Sequence, residues 1–541
     1  MSVRGVMLRD GMYYGNKSVD RAKAILAIRE ADKVESLKRK IFNFPPELVE
    51  RSVEEGRSIR EIVKEENIDY SGYIGEMRDY QTVGTAFMYY SPRSIIGDGV
   101  GLGKTIEISG LINILRENNE MGRFFIAVES TALKQTQAEL IRFTGLNIVV
   151  IPSQAAKLRR VLNKLDWRKI DGVVMSHSTL RSTVLSQWLA INMREDGTCR
   201  AFDTFFLDES SIIKNNETKM YEYVENLCNI SKRVHFMNAT TFEKSIMDIY
   251  YQIDALDKTV LPPKSRITKE FCKYQPKLYW TKVSGVAERK RSFDLAGYKN
   301  QEVFKNSLKL CYFGRCKKDV GIDTPHIYKV YEVEPSNEQS SAISKGYRYN
   351  TVLNCPNLIP ELKLENNRKT NPKLNRVCEL VEREFDGQQV MIYCFHVSAQ
   401  EALKTELEKI GRKCVILNGQ DHSSDKDENR ARIQKEFNAG VYDVIITNIK
   451  RSLNLNSGDV CIFYEYSSTP ASMEQIRGRI DRNTDDRVKT FILLLYKGTD
   501  EYKLFTDVVK SRSKDGRDLT IDAENCIDYF INSMDLDEGD E

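Results

Sequence analysis

The stretch IIGDGVGLGKT, residues 95–105, decides the fold class of this chain. A β-branched run leads into a glycine-rich turn, and the apolar sequence IEISGLINILREN follows it. This order predicts a strand, a phosphate-binding loop and a helix, because glycines let backbone N–H groups surround phosphate oxygens and a helix amino terminus adds partial positive charge. Lysine in such a loop reaches the β- and γ-phosphates of a nucleotide, and the threonine after it holds Mg²⁺. The candidate nucleotide-binding residues are Asp98, Gly99, Val100, Gly101, Leu102, Gly103, Lys104 and Thr105.

A second motif, TFFLDESS, ends an apolar run with the acidic pair Asp208 and Glu209. If this run is a strand of the same parallel sheet as the loop, both carboxylates lie at the carboxyl edge of that sheet. Nucleotide hydrolysis needs an acid that binds Mg²⁺ and an acid that activates water. We therefore expect Asp208, together with Thr105, to hold Mg²⁺, and Glu209 to polarise the attacking water.

A third motif, MEQIRGRIDR, contains Gln475, Arg479 and Arg482 at positions i, i+4 and i+7. On a helix these three side chains would share one face. Arginine suits phosphate charge because its planar fork donates several hydrogen bonds. Since Lys104 and Arg479 belong to different predicted domains, we expect an ATP site in a cleft that hydrolysis opens and closes. The alternative is a solvated basic helix face.

Short β-branched runs alternate with longer amphipathic stretches in two series, which start near residues 93 and 388. The alternation predicts βαβ units and an α/β fold with two parallel sheets. A charged sequence of helical pattern precedes the first series, and lysine-rich, helix-like sequence separates the two. The predicted domains are a helical N-terminal region (1–71), a first, ATP-binding lobe (72–258), a helical protrusion and linker (259–370), a second lobe (371–520) and a C-terminal segment with an acidic tail (521–541).

Composition narrows the functional classes. The 541 residues are 41% hydrophobic and 29% charged, a globular profile, and no stretch approaches the ~18 apolar residues of a membrane span. The 11 cysteines include no CxxC pair, which argues against a disulfide framework or a zinc ribbon and fits a reducing compartment. A net charge of +3 requires any nucleic-acid site to be a local patch. ERKRSF (288–293) is a candidate patch, with a solvated surface as its alternative.

The three motifs resemble those of the superfamily-two helicases in order and spacing, and the sequence between them is similar to the Swi/Snf-type DNA translocases. MRDYQ (77–81) resembles that family's adenine-reading Q motif. DESSIIKNNETK (208–219) resembles its acidic motif, including the Lys-Asn and Thr that follow the acids. Over residues 72–510 the resemblance implies two tandem RecA-like lobes, ATP and Mg²⁺ as cofactors, and ATP-driven tracking along double-stranded DNA through its phosphates.

The resemblance also implies individual site residues. Gln81 would read adenine, and Gln475 would contact the nucleotide. The catalytic set would be Lys104, Asp208, Glu209, Arg479 and Arg482. The implied DNA contacts are small hydroxyl donors and one lysine: Ser130, Thr131, Ser176, Lys214 and Thr447.

Four departures from the family pattern lie where nucleotide state is communicated to DNA. Ser211 is found where the family has a histidine, and residues 239–241 are Ala-Thr-Thr where the family has Gly-Thr-Pro. The stretch NIKRSLNLN (448–456) lacks the family's usual glycines, and Arg482 is not followed by the usual Gly-Gln. None of these departures falls on a predicted Mg²⁺ or phosphate contact. They concern the coupling between nucleotide state and DNA.

We therefore predict a DNA-stimulated ATPase that translocates along, or remodels, duplex DNA or protein–DNA complexes. The alternatives are a strand-separating or branch-migrating helicase, an RNA-directed ATPase, a non-hydrolysing nucleotide-switched scaffold and a small-substrate kinase. We expect a monomer that binds nucleic acid and no membrane. By analogy with compact phage and bacterial family members, it would act in a bacterial cytoplasm or an infected host cell.

Overall fold

The structure is a computed structural model in which the chain divides into two compact units between Cys316 and Lys317. Each unit is built on its own parallel sheet. The described ranges are 6–9, 12–15, 72–239, 246–258, 260–283, 286–300, 311–315, 317–322, 326–347, 349–356, 366–418, 426–449, 453–465, 470–481 and 487–497, with some single positions besides.

Strands and helices alternate along most of these ranges. The strands are β1 Val6–Arg9, β2 Met12–Gly15, β3 Arg93–Ile96, β4 Phe124–Val128, β5 Ile148–Val150, β6 Gly172–Ser176, β7 Thr204–Asp208, β8 Arg233–Met237, β9 Cys272–Val283, β10 Val286–Tyr298, β11 Tyr312–Phe313, β12 His326–Val333, β13 Val390–Tyr393, β14 Cys414–Leu417, β15 Val444–Thr447, β16 Val460–Phe463 and β17 Lys489–Tyr496. The α-helices are α1 Asp79–Tyr90, α2 Lys104–Glu117, α3 Leu133–Thr144, α4 Ala155–Lys164, α5 His177–Leu180, α6 Thr183–Ile191, α7 Lys219–Ile230, α8 Ile246–Leu256, α9 Lys264–Phe271, α10 Asn337–Ser344, α11 Tyr349–Asn354, α12 Pro372–Glu379, α13 Val397–Lys409, α14 Lys426–Asn438 and α15 Pro470–Arg477.

The first sheet has the strand order β11-β3-β8-β7-β4-β6-β5, and every neighbouring pair is parallel. Parallel neighbours need crossover connections, which the intervening helices supply. The strands read as continuous apolar runs because both faces of the sheet are covered. In β4, Phe125 and Ala127 pack into one core cluster, while Phe124, Ile126 and Val128 pack into the other.

The second sheet repeats this construction with six parallel strands in the order β12-β17-β16-β13-β15-β14. Central strand β13 again divides its side chains between two core clusters. Val390 and Ile392 enter one cluster, and Met391 and Tyr393 enter the other. The prediction of two parallel-sheet lobes is confirmed.

The prediction of a helical linker over residues 259–370 is wrong in two respects. Strands β9 and β10 form a long antiparallel hairpin, so this segment is only partly helical. Pro276 disfavours a helix there, and the many aromatic and β-branched residues around it favour a strand. The segment also does not form a separate structural unit, because β11 belongs to the first sheet and β12 belongs to the second.

The predicted helical N-terminal region, residues 1–71, contains a second antiparallel hairpin formed by β1 and β2. In sequence, Asp10-Gly11 separates the two strands, and this dipeptide is among the strongest hairpin signals. The helical prediction is therefore wrong for these two strands. The acidic tail, residues 535–541, lies outside the described residues.

Two global features concern the described ranges only. None of their helices combines the length and apolarity needed to cross a membrane. Their nine described cysteines are all free and buried, so none of them belongs to a disulfide.

A buried arginine ties the first strand of the first sheet to the helices beside it. Arg93 is 2% exposed. Its guanidinium donates to the carbonyl oxygens of Leu256 at 2.7 Å, Cys228 at 2.8 Å and Ser231 at 2.9 Å. One side chain thus satisfies three acceptors at the ends of α7 and α8.

Replacing Arg93 with methionine should destabilise the first unit strongly. The change leaves three buried carbonyl oxygens without their donor, and we expect a loss of about 3–5 kcal/mol in the free energy of unfolding. Urea unfolding followed by circular dichroism measures the loss. Arg266→Met is the control, because Arg266 pairs with Glu270 on the exposed surface of α9, and it should leave the midpoint unchanged. Equal midpoints for both variants would contradict the role given to Arg93.

Candidate active site

The phosphate-binding loop follows β3 at the carboxyl edge of the first sheet, and two glycines set its backbone shape. Gly101 and Gly103 have φ angles of +88° and +87°, in the left-handed region that strains a side chain. Helix α2 begins directly after Gly103, and no described side chain caps its amino terminus. The N–H of Ile106 already donates to the carbonyl oxygen of Gly103 at 2.8 Å. The N–H groups of Lys104 and Thr105 are therefore the ones that can bind an anion, which fits the predicted phosphate site.

Lys104 projects back over this loop. Its Nζ donates to the carbonyl oxygens of Asp98 at 2.7 Å and Gly99 at 3.3 Å. Both acceptors are neutral, and a phosphate oxygen bonds an ammonium more strongly because it is charged. The lysine is thus held where a nucleotide phosphate would compete for it.

Gln81, which is predicted to read adenine, lies against the loop. Gln81 is 3% exposed. Its Nε2 donates to the carbonyl oxygen of Leu102 at 3.0 Å, and its Oε1 accepts from the N–H of Arg78 at 3.0 Å. A Cβ at Gly103 would lie 2.5 Å from Gln81 Nε2, so glycine is required at this contact. The side-chain amide therefore supports the loop backbone.

A buried charge cluster lies beneath the loop. Asp98, which departs from the glycine of the strict phosphate-loop pattern, is fully buried. Arg315 donates to its carboxylate through Nη2 at 2.5 Å and Nε at 3.2 Å. The same Nη2 lies 2.5 Å from the Oε1 of Glu107, which is also fully buried. The unusual Asp98 is thus one of two acids that share one arginine.

This arrangement perturbs the protonation of Glu107. Burial raises the pKa of the Glu107 carboxyl well above its ordinary value, and the nearby charge of Asp98 raises it further. The charge and hydrogen bond of Arg315, and the charge of Lys104, act in the opposite direction but do not reverse the shift. One guanidinium cannot fully compensate two buried carboxylates, so the neutral form of Glu107 is favoured.

The acidic pair lies at the same sheet edge as the loop. Asp208 ends β7 and Ile96 ends β3, and both are register partners of Met237 in β8. Their Cα atoms are therefore two strand spacings apart, ~10 Å. Glu209 has a φ of +53°, an uncommon conformation for a residue with a side chain. Such strain is typical of functional positions.

Four of the five predicted DNA contacts lie in the first unit, after strands that end at this edge. Ser130 and Lys214 are exposed and Thr131 is half-buried, each on the loop that follows a strand. Ser176 is 3% exposed, and its Oγ accepts from the N–H of Thr179 at 3.3 Å as the amino-terminal cap of α5. The Ser176 hydroxyl thus serves as a helix cap, and its contact with DNA stays a prediction.

Thr447, in the second unit, gives the same result. It is fully buried at the end of β15, and its Oγ1 accepts from the N–H of Ile449 at 3.0 Å. The DNA contact of Thr447 therefore also stays a prediction. The side chains of ERKRSF, residues 288–293, lie outside the described residues.

The arginine motif is only partly helical. Helix α15 ends at Arg477, and Gly478 begins a turn that contains Arg479. The prediction that Gln475 and Arg479 share a helix face with Arg482 is therefore wrong in its first half, because the glycine ends the helix too early. Arg482 itself lies outside the described residues.

Arg479 is 6% exposed and bonds to backbone within its own unit. Its Nε donates to the carbonyl oxygen of Gln475 at 2.7 Å, and Nη1 donates to that of Leu453 at 3.1 Å. Gln475 is 3% exposed. Both side chains therefore lie in the interior of the second unit.

Comparison with known domain families identifies the family to which the two parallel-sheet units belong. An SNF2-related domain matches residues 80–339, and a helicase conserved C-terminal domain matches residues 372–484. Together the matches cover more than half of the chain. The chain belongs to the SNF2-type superfamily-two helicases.

Two curated relatives illustrate the similarity. An uncharacterised ATP-dependent helicase of Bacillus subtilis, YqhH, is 29% identical over 189 residues, which are 34% of this chain and 30% of that protein. A SWI/SNF-related matrix-associated actin-dependent regulator of chromatin subfamily A-like protein 1 of Xenopus laevis is 22% identical over 503 residues, which are 89% of this chain and 48% of that protein. The chain thus spans less than half of the length of either relative.

A solved structure of an SNF2-type protein also matches. The SWI2/SNF2 ATPase core of Sulfolobus solfataricus, solved in complex with dsDNA, is 19% identical. The match covers 83% of this chain and 93% of that chain, with a TM-score of 0.39.

Two residues of this SNF2-type site escaped prediction from the sequence. Arg315 completes the loop cluster from 217 positions away from Asp98, and no local pattern indicates that pairing. His177 follows the capping serine, and its Nε2 lies 2.8 Å from the carbonyl oxygen of Asp208. This contact joins the segment after β6 to the acidic pair after β7.

The variant Glu107→Gln should flatten the pH dependence of thermal stability. Because the pKa of Glu107 is raised in the folded protein, its stabilising contribution is complete below about pH 4.5 and is lost as pH rises through the folded-state pKa. Glutamine does not titrate, so the melting temperature of the variant should gain on the parent between pH 5 and pH 8. Scanning fluorimetry measures both profiles, with Glu195→Gln at an exposed position as the control. Parallel profiles for parent and Glu107→Gln would contradict the shift.

Proposed function

We propose that this SNF2-type chain is a DNA-stimulated ATPase that uses hydrolysis to translocate along, or remodel, duplex DNA or protein–DNA complexes. One observation carries the proposal. The phosphate-binding loop and the acidic pair lie at one edge of a parallel sheet, two strand spacings apart. A loop for phosphates beside an acid for Mg²⁺ and an acid for water is the arrangement that nucleotide hydrolysis requires.

Within this site each residue has a chemical task. Backbone N–H groups of residues 100–105 and the Lys104 ammonium would hold the phosphates. Thr105 and Asp208 would hold Mg²⁺, which when bound neutralises charge on the phosphate oxygens. Glu209 would accept the proton of the attacking water.

Arg479 and Arg482 would contribute positive charge toward the phosphates from the second unit. Arg479 donates two hydrogen bonds to backbone carbonyls in its present position. It would therefore have to exchange neutral acceptors for phosphate oxygens, an exchange that charge favours. Gln475 would help to orient it through the backbone, because the Gln475 carbonyl oxygen is one of those acceptors.

DNA would be held by its phosphates along the same sheet edge. Ser130, Thr131 and Lys214 follow strands β4 and β7, whose carboxyl ends belong to that edge. Hydroxyl donors and lysine suit phosphate contacts that carry no sequence information. Ser176 would shape the neighbouring backbone as a helix cap.

His177 supports coupling between this edge and the nucleotide site. It begins α5 beside the proposed DNA-contacting loops, and its ring nitrogen lies 2.8 Å from the Asp208 carbonyl oxygen. Movement of the α5 segment would therefore reach the residue proposed to hold Mg²⁺. This contact is the proposed route of coupling in a chain that has Ser211 in place of the family's histidine.

A strand-separating helicase is the second candidate. A matching stretch of 167 residues is 23% identical to a protein named ATP-dependent DNA helicase Q1, from Pongo abelii. This relative covers 31% of the chain, whereas the SNF2-related match alone spans residues 80–339. Translocation on duplex DNA is therefore preferred.

Duplex DNA should stimulate ATP hydrolysis more than single-stranded DNA or RNA. The duplex preference follows from the SNF2-type assignment, whose resemblance implies tracking along double-stranded DNA. Proposed contacts to backbone phosphates make stimulation independent of base sequence. Phosphate release with matched lengths of duplex DNA, single-stranded DNA, forked DNA and RNA measures the preference. Greater stimulation by forks, with strand release, would support the helicase, and equal rates with every nucleic acid would overturn the proposal.

Glu209→Gln should retain nucleotide binding and lose hydrolysis. An amide does not accept the proton of water, and removal of a general base lowers rates by about 10²- to 10⁴-fold. Fluorescent-nucleotide binding and single-turnover hydrolysis separate the two effects. Glu217→Gln, at an exposed position in the loop before α7, is the control and should match the parent. Parental turnover by Glu209→Gln would remove this acid from the mechanism.

A further inference from the structure

A cavity of about 630 Å³ opens in the first unit, at the edge of the sheet opposite the phosphate-binding loop. The residues directly before β4, β6 and β7 line it: Arg123, Asp171 and Asp203. These strands are neighbours in the order β7-β4-β6. Because they are parallel, their amino ends meet at one edge, just as their carboxyl ends meet at the other.

The cavity is well separated from the candidate active site. Helix α2 begins at the phosphate-binding loop and has 14 residues, a length of ~21 Å. Arg116, in its last turn, lines the cavity. Strand β7 likewise has Asp203 before its first residue and Asp208 as its last. The two sites are therefore at opposite ends of the same helix and the same strand.

Arginine dominates the charge of this cavity. Five arginines line it: Arg116, Arg123, Arg168, Arg194 and Arg200. The lining also contains the carboxylates of Asp171 and Asp203, so its charged groups leave an excess of three positive charges. The whole chain has a net charge of +3. Positive charge is therefore concentrated locally in this cavity, which we call the arginine cavity.

Two of the arginines are fixed by hydrogen bonds to the surrounding backbone. Arg123 donates through Nε to the carbonyl oxygen of Trp167 at 2.8 Å and through Nη1 to that of Arg200 at 3.0 Å. Arg194 donates through Nη1 to the carbonyl oxygen of Cys199 at 2.5 Å and to Asp203 Oδ1 at 3.2 Å. Two guanidinium groups are thus held in place, and a preorganised site loses less free energy when a ligand binds.

Two other arginines have exposed side chains. The side chain of Arg116 is 44% exposed and that of Arg168 is 66% exposed. Their acidic neighbours are Glu117, 3.9 Å from Arg116, and Asp166, 3.2 Å from Arg168. Exposed ion pairs of this kind are weak. Both guanidinium groups can therefore turn from these neighbours toward an anion inside the cavity.

We propose that the arginine cavity binds a small, multiply charged phosphate compound, either a polyphosphate or a free nucleotide. The planar fork of arginine suits phosphate oxygens, which it can bind through two parallel hydrogen bonds. The cavity volume also lies in the range of ~300–1,000 Å³ that is usual for small-ligand sites. This site does not depend on the proposed ATPase activity.

The charges around the cavity favour a small anion over the backbone of a nucleic acid. Glu117 and Asp166 lie beside the two exposed arginines. A polyanion that continued past the cavity would meet these carboxylates, whereas a compound contained in the cavity would meet the excess of arginine. The hydrogen bonds of Arg123 and Arg194 also stabilise the surrounding backbone, but that structural role does not account for the exposed Arg116 and Arg168.

The test measures binding of inorganic triphosphate by isothermal titration calorimetry. The full chain carries Lys104→Ala and is kept in EDTA, so that the phosphate-binding loop and Mg²⁺ contribute little. The cavity variant adds Arg116→Gln/Arg168→Gln. The matched control adds Lys157→Gln/Arg160→Gln, which removes two positive charges from exposed positions on α4 outside the cavity. Circular dichroism melts confirm folding for each protein.

Triphosphate should bind the Lys104→Ala protein and the matched control with equal affinity, and more tightly than orthophosphate does. The cavity variant should bind it at least ~10-fold more weakly, because charge-assisted hydrogen bonds to phosphate are lost. A Lys104→Ala protein that does not bind triphosphate would overturn the proposal. Equal affinities for the cavity variant and the matched control would also overturn it.

Two further titrations in the same background identify the source of the phosphate groups. ATP that binds more tightly than triphosphate, and is weakened in the cavity variant, would support a nucleotide ligand. Equal affinities for ATP and triphosphate would support a polyphosphate. Duplex DNA that loses affinity in the cavity variant, in a protein that does not bind triphosphate, would overturn the small ligand in favour of a nucleic-acid contact. Hydrolysis enters none of these measurements, so their outcome is independent of the proposed function.

Discussion

Seven strands of the first sheet run parallel, and this single constraint brings together the candidate active-site groups that follow its strands. Parallel strands have their carboxyl ends at one edge. The loop after β3, Ser130 after β4, His177 after β6 and the acidic pair after β7 therefore lie along one line, although they are far apart in sequence. Any change that altered the register of β8 would displace Asp208 from the loop, because β8 is the strand that separates β7 from β3.

The charge cluster beneath the loop adds rigidity to that arrangement. Two buried carboxylates and one guanidinium leave an excess of negative charge in the core, which favours a neutral Glu107. Buried ion pairs contribute little net stability, but they specify one arrangement because an unpaired partner is so unfavourable. Here the specified arrangement includes the loop, α1 through Tyr80 and the segment after β11 through Arg315. The second unit has a smaller buried charge cluster, in which Lys317 and His326 both contact the carboxylate of Asp481.

Local sequence pattern predicted those features whose cause is local. The apolar runs of β3 to β8 follow from burial on both faces, and the shape of the loop follows from its glycines. Arg315 could not be predicted, because its acidic partners are more than 200 positions away and any lysine-rich or arginine-rich linker looks the same in sequence.

The other differences arose where two local rules competed. A serine at a strand end suits a phosphate contact or a helix cap, and the buried Ser176 serves as a cap. The spacing of Gln475 and Arg479 fits one helix face, but Gly478 ends the helix between them. In the linker, lysines indicated a solvated helix while Pro276 and the aromatic residues favoured the β9–β10 hairpin.

That hairpin has a consequence for association with other chains. Strand β9 has 12 residues, a length of ~40 Å at the usual rise of a strand. Within the described residues, β9 and β10 pair only with each other, so each presents an unpaired backbone edge. Open edges recruit strands from other molecules unless charge or proline blocks them. The hairpin contains Pro276 and a dense set of cations, Lys273, Lys277, Lys282, Arg289, Lys290 and Arg291. A hairpin of this length can therefore keep two open edges without becoming a template for aggregation.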